Sequence, residues 1–437
     1  MRIGTGRVYN WPVRFRATLP LLTLALLGPT AVGVRAGEPA PDDATQAGQT
    51  VIRPATAAAV APANEQRLRR GFDNLYNLEF KEAVRLFEQV AAAEPESATA
   101  SAFHASALLY EILASQGTLQ SQLFVTTNEF LRHQRVPPDP ALDRRFNAAV
   151  AETERRARER LARDRNDVDA LFALGLVRGG MANYLAGVKA DYLKGLRTGE
   201  EAFEHMKKVR ELHPEIHDAA VVLGIHDYII GSLPRSHRFL LFFLGATGNR
   251  ERGLAYLNEA ATQGEFLRTY AQVLLVVANV REQKLADAIS RGEDLMRRYP
   301  RNPVFMLEVA RMYREAERHR DAMNLCRLFI VEMLAHPHNP RILGPEDGLI
   351  ELARVEAAQN QFDRALETLD RVRSVPDVNP RVAGQALLER GKLLDQLGRR
   401  ELAVAEYDRV IHAAIDADLT RQAHAYKRRA YNPNGGN

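Results

Sequence analysis

Cysteine and tryptophan are almost missing from this 437-residue sequence, which contains one of each. A single cysteine, Cys326, excludes an internal disulfide and with it a small disulfide-stapled fold. No charge-free apolar run reaches the roughly 20 residues that a helix needs to cross a bilayer. Alternating apolar and polar residues, the mark of strands, are also scarce beyond residue 65. These absences leave an all-α fold as the expected class.

Motifs of common enzymes are missing as well. The chain has no G-x-S-x-G nucleophile elbow, no GxxxxGK[ST] phosphate loop and no H-E-x-x-H zinc motif. Cys326 occupies a position that the repeat pattern below assigns to packing, not to a nucleophile. We therefore predict that the chain is not an enzyme and that it has no cofactor.

The first 36 residues have the pattern of an export signal. Four arginines precede or open an apolar stretch from Ala17 to Val34, and Val34-Arg35-Ala36 places small residues at positions −3 and −1 of a cleavage site. We expect cleavage after Ala36 and a location in the periplasm or outer envelope. Retention of the segment as a membrane anchor is the alternative. Since no cysteine follows the apolar stretch, lipid attachment there is excluded.

The charge of the chain argues against a nucleic-acid partner. The whole sequence has a net charge of +4, but residues 1–36 contain five arginines and no acid. Removing these five charges leaves −1, so the basic balance belongs to the export signal. We predict no nucleic-acid partner.

Small and large apolar residues recur with the offsets of tetratricopeptide repeats. In this pattern a small residue marks a helix crossing, an alanine follows twelve positions later, and a large apolar residue follows after four more. The best unit has Ala310, Ala322 and Cys326, and Ala288 precedes Ala322 by 34 residues. We interpret these as packing residues of an all-α, tetratricopeptide-type helical-hairpin solenoid. Further units are Gly71, Ala83 and Phe87; Gly175, Ala202 and Met206; Ala353, Ala365 and Leu369; and Gly391, Ala403 and Tyr407.

Composition and repeats together predict the organisation of the chain. Residues rich in Ala, Pro and Thr cannot bury enough apolar surface to fold, so a disordered linker is expected after the signal. The predicted segments are the signal peptide 1–36, the linker 37–64, a degenerate N-terminal repeat region 65–245, C-terminal repeats with a capping helix 246–431, and a disordered tail 432–437.

An irregular segment between Gly224 and Gly253 interrupts the repeats. It resembles the conserved middle of the tetratricopeptide repeat protein 39 and inclusion-body-clearance family, which has exported bacterial relatives. The resemblance extends over about 170–313 and implies a helical solenoid with no shared catalytic residue. The residues that carry it are Gly224, Asp227, Tyr228, Leu233, Pro234, 239–245, Gly248, 250–254, Ala260 and Gly264.

The apolar run 239–244 within this segment allows two interpretations. Six apolar residues are too few to span a membrane, and such a turn is usually buried, so a plug between helix pairs is expected. The alternative is a wedge that faces a membrane or a partner, with Phe239, Phe242 and Phe243 beside Arg238. Under that alternative the protein is a membrane-surface accessory factor.

Five histidines within 33 residues invite a metal hypothesis. Two of them, His213 and His217, are four apart, as in a helical zinc pair, but Pro214 follows the first and should end the helix. We therefore predict structural histidines and no metal, with a metal-dependent enzyme as the least favoured function. The five are His205, His213, His217, His226 and His237.

The residue after each small crossing residue should point into the concave face of the repeats, where solenoids bind their partners. In the last three units this position holds Arg311, Arg354 and Lys392, and Arg314 follows one turn after the first. Earlier units have apolar residues there: Phe72, Ile225 and Val277. A half-apolar, half-basic groove would suit a peptide with an acidic or carboxyl end. The predicted function is a non-catalytic scaffold for a protein or peptide in the cell envelope; unremarkable surface cations are the alternative.

Overall fold

The computed structural model describes residues 62–115, 138–243, 246–336 and 342–433, with the backbone alone for 62 and 240–243. Within these ranges the regular structure consists of eighteen α-helices and a 3-10 turn, without strands. The predicted all-α, tetratricopeptide-type class is confirmed. None of the described helices combines the length and apolar character needed to cross a bilayer. The predicted signal peptide, most of the linker and the last four residues of the tail lie outside the described residues.

The described chain divides into two compact units, here called the N-terminal unit (62–316) and the C-terminal unit (317–433). Helices of the N-terminal unit follow one another as hairpins, with one short extra helix, α8, inserted into the fourth hairpin. They are α1 (Pro62–Tyr76), α2 (Phe80–Ala93), α3 (Ala98–Ser115), α4 (Pro140–Arg163), α5 (Val168–Gly187), α6 (Tyr192–Leu212), α7 (Ala219–Gly231), α8 (Arg235–Phe243), α9 (Arg250–Gln263), α10 (Arg268–Arg281), α11 (Leu285–Arg298) and α12 (Pro303–Glu315).

The C-terminal unit is built in the same way and ends with the predicted capping helix, α18, which packs on α16 and α17. Its last turn carries Lys427 and Arg428, which complement the negative end of the helix dipole. The helices are α13 (His319–Ala335), α14 (Pro345–Ala358), α15 (Phe362–Asp370) with the 3-10 turn Arg371–Ser374, α16 (Pro380–Gln396), α17 (Arg400–Ala413) and α18 (Ala417–Arg428).

The boundaries of helices and compact units can be set beside the predicted segments. The first helix begins at Pro62, three residues inside the predicted linker. The compact units divide after residue 316, whereas the predicted segments 65–245 and 246–431 were distinguished by the regularity of their repeats. The insert does not separate units because α7 and α9, on either side of it, pack against each other as one hairpin.

The motif residues pack as the offsets predict. A Cβ added at Gly71 would lie 2.9 Å from the ring of Phe87, and one at Gly175 would lie 2.6 Å from Met206. In each pair the small residue leaves room for the large one, sixteen positions later in the first pair and 31 in the second, and the two helices approach closely. Cys326, in the large-residue position of its unit, is completely buried.

Buried aspartates tie hairpins of the N-terminal unit to one another. Asp218, just before α7, accepts hydrogen bonds from the backbone N–H groups of Phe266 at 2.9 Å and Leu267 at 3.1 Å, at the start of α10. Asp169 accepts one from Ala98 at 2.7 Å, at the start of α3. Each carboxylate satisfies N–H groups that a helix start leaves without an intrahelical partner, and it thereby sets how neighbouring hairpins stack.

Candidate functional site

The apolar inner positions of the N-terminal unit pack against one another. Phe72 on α1 lies 5.1 Å from Phe103 on α3 and 5.9 Å from Phe266, just before α10, measured between ring centroids. Phe103 and Phe266 are themselves 5.3 Å apart. Aromatic rings at these separations contribute to stability beyond the area that they bury. Phe72, predicted to line an apolar groove, is therefore part of an aromatic cluster.

Helix α1 also contacts the far end of the same unit. The Asn302 side chain donates a 2.7 Å hydrogen bond to the carbonyl oxygen of Tyr76, and the rings of Tyr76 and Tyr299 lie 5.4 Å apart. Arg301 and Glu79 form an ion pair at 2.9 Å. The first hairpin thus returns to hairpins more than 200 residues later.

The residues of the family resemblance form one closely packed hairpin, α7 with α9. The backbones of Gly253 and Tyr228 approach too closely for a side chain at position 253. Asp227, completely buried, is held by both Nε and Nη2 of Arg252, the latter at 2.8 Å. These contacts explain the signature as packing: glycines permit the approach and the ion pair orients it.

Helix α8 extends from this hairpin and carries an exposed aromatic residue. Phe239 is 66% exposed, and Arg235 and Arg238 on the same helix are exposed as well. The sequence has no Asp or Glu from Tyr228 to Arg250. The side chains of Phe242 and Phe243 lie outside the described residues. Phe239 is the one residue of the predicted plug whose side chain is described, and it is not buried.

The histidines have separate partners. His217 contacts Glu259 at 2.8 Å, whereas His226 contacts Glu200 at 2.8 Å and stacks on Phe203. Across the residues with described side chains, no group of three or more His, Cys, Asp or Glu could hold a metal ion. His213 pairs with Glu215 at 2.9 Å, and burial lowers the pKa of His205.

The basic positions of the C-terminal unit lie together on the first helices of its hairpins. Arg354 on α14 reaches Glu389 on α16 at 2.8 Å and Glu351 on its own helix at 3.4 Å. Lys392 also contacts Glu389, at 3.3 Å. We call these four residues, Glu351, Arg354, Glu389 and Lys392, the polar ladder. Because its two cations are paired with two carboxylates, this face carries both charges and is not the purely basic surface that the sequence predicted.

The polar ladder is electrostatically coupled. Burial would raise the pKa of Glu389, but the charges of Lys392 and Arg354 outweigh it and lower the pKa to about 2. At its end, the ammonium group of Lys392 lies 5.7 Å and 5.6 Å from the ring centroids of Tyr426 and Tyr431. The ladder therefore joins three first helices, α14, α16 and α18, into one charged and aromatic face.

Arg311 and Arg314 belong to the N-terminal unit, on α12. Arg311 forms an ion pair with Glu308, which is 5% exposed, and Arg314 is partly exposed one turn later. The pairing Glu308 to Arg311 repeats as Glu351 to Arg354 and as Glu389 to Lys392, always three residues apart. The sequence analysis did not identify these carboxylates, although the sequence contains a glutamate three positions before each of the three cations.

Comparisons with known proteins identify no family for the chain. No protein-family model matches the chain, and no curated protein matches it. It is similar to the crystal structure of yeast Tom70, at 12% identity and a TM-score of 0.37, over 84% of this chain and 88% of that chain. A human IFIT1 dimer with m7Gppp-AAAA is similar at 12% identity and a TM-score of 0.39, over 86% and 89%. Because these TM-scores are low, no property of either protein is carried to this chain.

Proposed function

We propose that the protein is a non-catalytic scaffold that holds a protein or peptide partner. The observation that carries this proposal is the polar ladder, which two successive first helices of the C-terminal unit, α14 and α16, build at equivalent repeat positions. Arg354 is 28% exposed, Glu389 17% and Lys392 16%, so the ladder is largely dehydrated yet reachable. Surfaces assembled in this way from consecutive repeats are where helical-repeat proteins bind extended ligands.

The chemistry of the ladder favours a peptide over a simple anion. Arg354 and Lys392 can receive a carboxylate, while Glu351 and Glu389 can accept hydrogen bonds from backbone N–H groups. A ligand that offers both would leave no buried charge unpaired. We infer that the preferred partner is an extended segment with an acidic side chain or a carboxyl end.

Site-specific photo-crosslinking tests this proposal. A photoreactive residue at position 385, beside the ladder on α16, should give a discrete adduct with one partner in protein expressed in its natural host. The control position is Leu402, which is 57% exposed on the second helix of the same hairpin. Reversal of charge at Arg354 and Lys392 should abolish the adduct at 385. Equal adducts at 385 and 402 would overturn the proposal.

We also propose that the protein is exported, on the strength of the signal pattern in residues 1–36. Fractionation with an epitope tag at the C-terminus should recover the shortened protein from the envelope or periplasm. We further propose kinship with the tetratricopeptide repeat protein 39 family, supported by the glycines and the Asp227–Arg252 pair of the α7–α9 hairpin. The same pair in a structure of a member of that family would support it.

A second function, contact with a membrane surface, is favoured by the exposed Phe239, which follows Arg235 and Arg238 on α8. Helices that bind the membrane interface typically combine exposed aromatic residues with arginines and have few acidic residues nearby in the sequence. Vesicles of phosphatidylglycerol should float the protein, and Phe239→Ser should reduce flotation, whereas Leu402→Ser should not. Flotation unchanged by Phe239→Ser would contradict this second function.

A further inference from the structure

The C-terminal unit has a second concave surface, separate from the polar ladder. A cavity of about 420 Å³ opens between α13 and α15, with α14 beneath it. We call it the outer groove; the argument uses Arg327, Ile330, Val331, Leu352, Arg364 and Arg371 among its lining residues. Its volume is in the range of pockets that bind ligands.

The floor and one side of the outer groove are apolar. Ile330 and Leu352 are nearly buried, whereas Val331 on the same side is 61% exposed. The apolar surface continues along α13, where Leu328 is 48% and Leu334 is 61% exposed. Residues 328, 331 and 334 follow one another at about one per turn, so they form a ridge roughly 9 Å long.

Cations stand on both sides of this apolar strip. Arg327 on α13 and Arg371 after α15 are exposed, and neither has an ion-pair partner among the residues that the structure describes. Arg364, by contrast, is paired at 3.0 Å with Glu356, which is almost completely buried. The groove also has one exposed acid, Glu367, so an excess of positive charge remains at its rim.

The outer groove and the polar ladder face opposite ways. Leu352 and Glu356 line the groove from α14, and each lies two positions from Arg354 of the ladder. Two positions on an α-helix are separated by about 200° around its axis. A ligand in the groove therefore does not touch the ladder, and the inference goes beyond the function proposed above.

We propose that the outer groove binds an acidic amphipathic helix of a protein partner. An apolar stripe of that helix lies on Ile330, Val331 and Leu352, as in helix-in-groove recognition. Acidic residues flanking the stripe meet Arg327 on one side and Arg371 on the other. Charges on both sides of an apolar strip match such a helix better than a single anionic headgroup, which would meet one of them.

A fluorescent 18-residue peptide with a leucine stripe flanked by glutamates is the probe, and anisotropy with the full chain is the measurement. We expect Arg327→Glu with Arg371→Glu to weaken binding at least tenfold, and Val331→Asp to do the same. The matched control is Arg399→Glu with Arg428→Glu, which reverses two exposed charges of the same unit and should change affinity less than twofold. Unchanged circular dichroism melting shows that each variant folds.

The outcomes separate the alternatives. Failure of the probe to bind, equal binding of a scrambled peptide of the same composition, or equal binding to the charge-reversed variant each overturn the proposal. Vesicles of phosphatidylglycerol that bind through Arg327 and Arg371 while the peptide does not would assign the groove to lipid and also overturn it. Loss of probe binding in Arg354→Glu with Lys392→Glu, with binding retained in Arg327→Glu with Arg371→Glu, would place the probe on the ladder and overturn the proposal for the groove.

Discussion

In the early repeats of the N-terminal unit the residue that follows the small crossing residue is apolar, as at Phe72 and Val277. It is Arg311 in the last helix of that unit, and Arg354 or Lys392 in the C-terminal unit. The apolar version is packed: Phe72 lies in the aromatic cluster, and Val277 is 9% exposed. The charged version stays at the surface of its helices, held by Glu389.

The same repeat position is thus used for internal packing when its residue is apolar and stays at the surface when its residue is charged. Burial of apolar side chains at this position stabilises the fold by about 25 cal/mol for each Å² of apolar surface that leaves water. Charged side chains cannot be covered by an apolar helix without a large desolvation cost, so their face remains available. The early repeats of the N-terminal unit therefore use this position for internal packing, whereas in the C-terminal unit the position remains partly exposed.

The largest expected effect is on the aromatic cluster. Phe103→Ala should lower the free energy of unfolding of the N-terminal unit by about 3–5 kcal/mol, since it leaves a cavity between Phe72 and Phe266. Urea unfolding followed by circular dichroism measures this, and trypsin should cut α1 at Arg69 or Arg70 sooner. A loss below about 1 kcal/mol would show that α1 is not held by the cluster.

The next effect tests the close approach of α7 and α9. Gly253→Ala should destabilise the N-terminal unit by about 2–3 kcal/mol, because the added Cβ would meet the backbone of Tyr228. Gly199→Ala is the control, since its Cβ would have its nearest neighbour 3.8 Å away. That control should be neutral or stabilising by up to about 1 kcal/mol, from helix propensity. Equal melting temperatures for the two variants would refute the packing explanation of the signature.

In the C-terminal unit, Glu389→Gln should cost about 1–3 kcal/mol at neutral pH, because Arg354 and Lys392 lose their shared partner. The folded-state pKa of Glu389 is lowered from 4.5 to about 2, so its contribution is present above pH 4.5 and is lost as the pH falls towards 2. The variant should therefore lose less stability than the wild type over that interval. If the free energy of unfolding changed with pH in the same way for both proteins, the coupling of Glu389 to Arg354 and Lys392 would be excluded.

The smallest effect concerns the aromatic end of the ladder. Lys392→Met keeps the apolar stem but removes the ammonium group from Tyr426 and Tyr431, and it should cost about 0.5–1 kcal/mol. Lys207→Met, at a half-exposed lysine of the N-terminal unit, is the control and should change stability by less than about 0.5 kcal/mol. Thermal melting of both variants is the measurement. Equal melting temperatures would show that the contact of Lys392 with the two tyrosines does not contribute to stability.

The hairpins could be predicted from sequence because their packing is local. Gly71 and Phe87, or Gly175 and Met206, are sixteen or thirty-one residues apart, and each pair needs only one small and one large side chain. The return of α1 could not be predicted, since Tyr76 and Asn302 are 226 residues apart and no period connects them.

The sequence placed Arg354 and Lys392 at equivalent repeat positions, and both contact Glu389 in the structure. The repeat offsets gave no account of Glu351 and Glu389, which pair with these cations. The outer groove escaped notice because its residues come from second helices and from the far side of α14. A pattern built on crossing residues does not describe those surfaces. The binding roles of Arg311, Arg314, Arg354 and Lys392 remain predictions.

The hydrogen bond from Asn302 to Tyr76 has a consequence for synthesis on the ribosome. The chain must grow by 226 residues before the partner of Tyr76 exists. At about 5–20 residues per second this takes roughly 10–45 s, far longer than a helical hairpin needs to form. During that interval α10 and α11 do not yet pack against the aromatic side of α1. The nascent chain therefore exposes an aggregation-prone apolar surface that is buried in the complete protein. Slow elongation of this protein should therefore increase its dependence on chaperones.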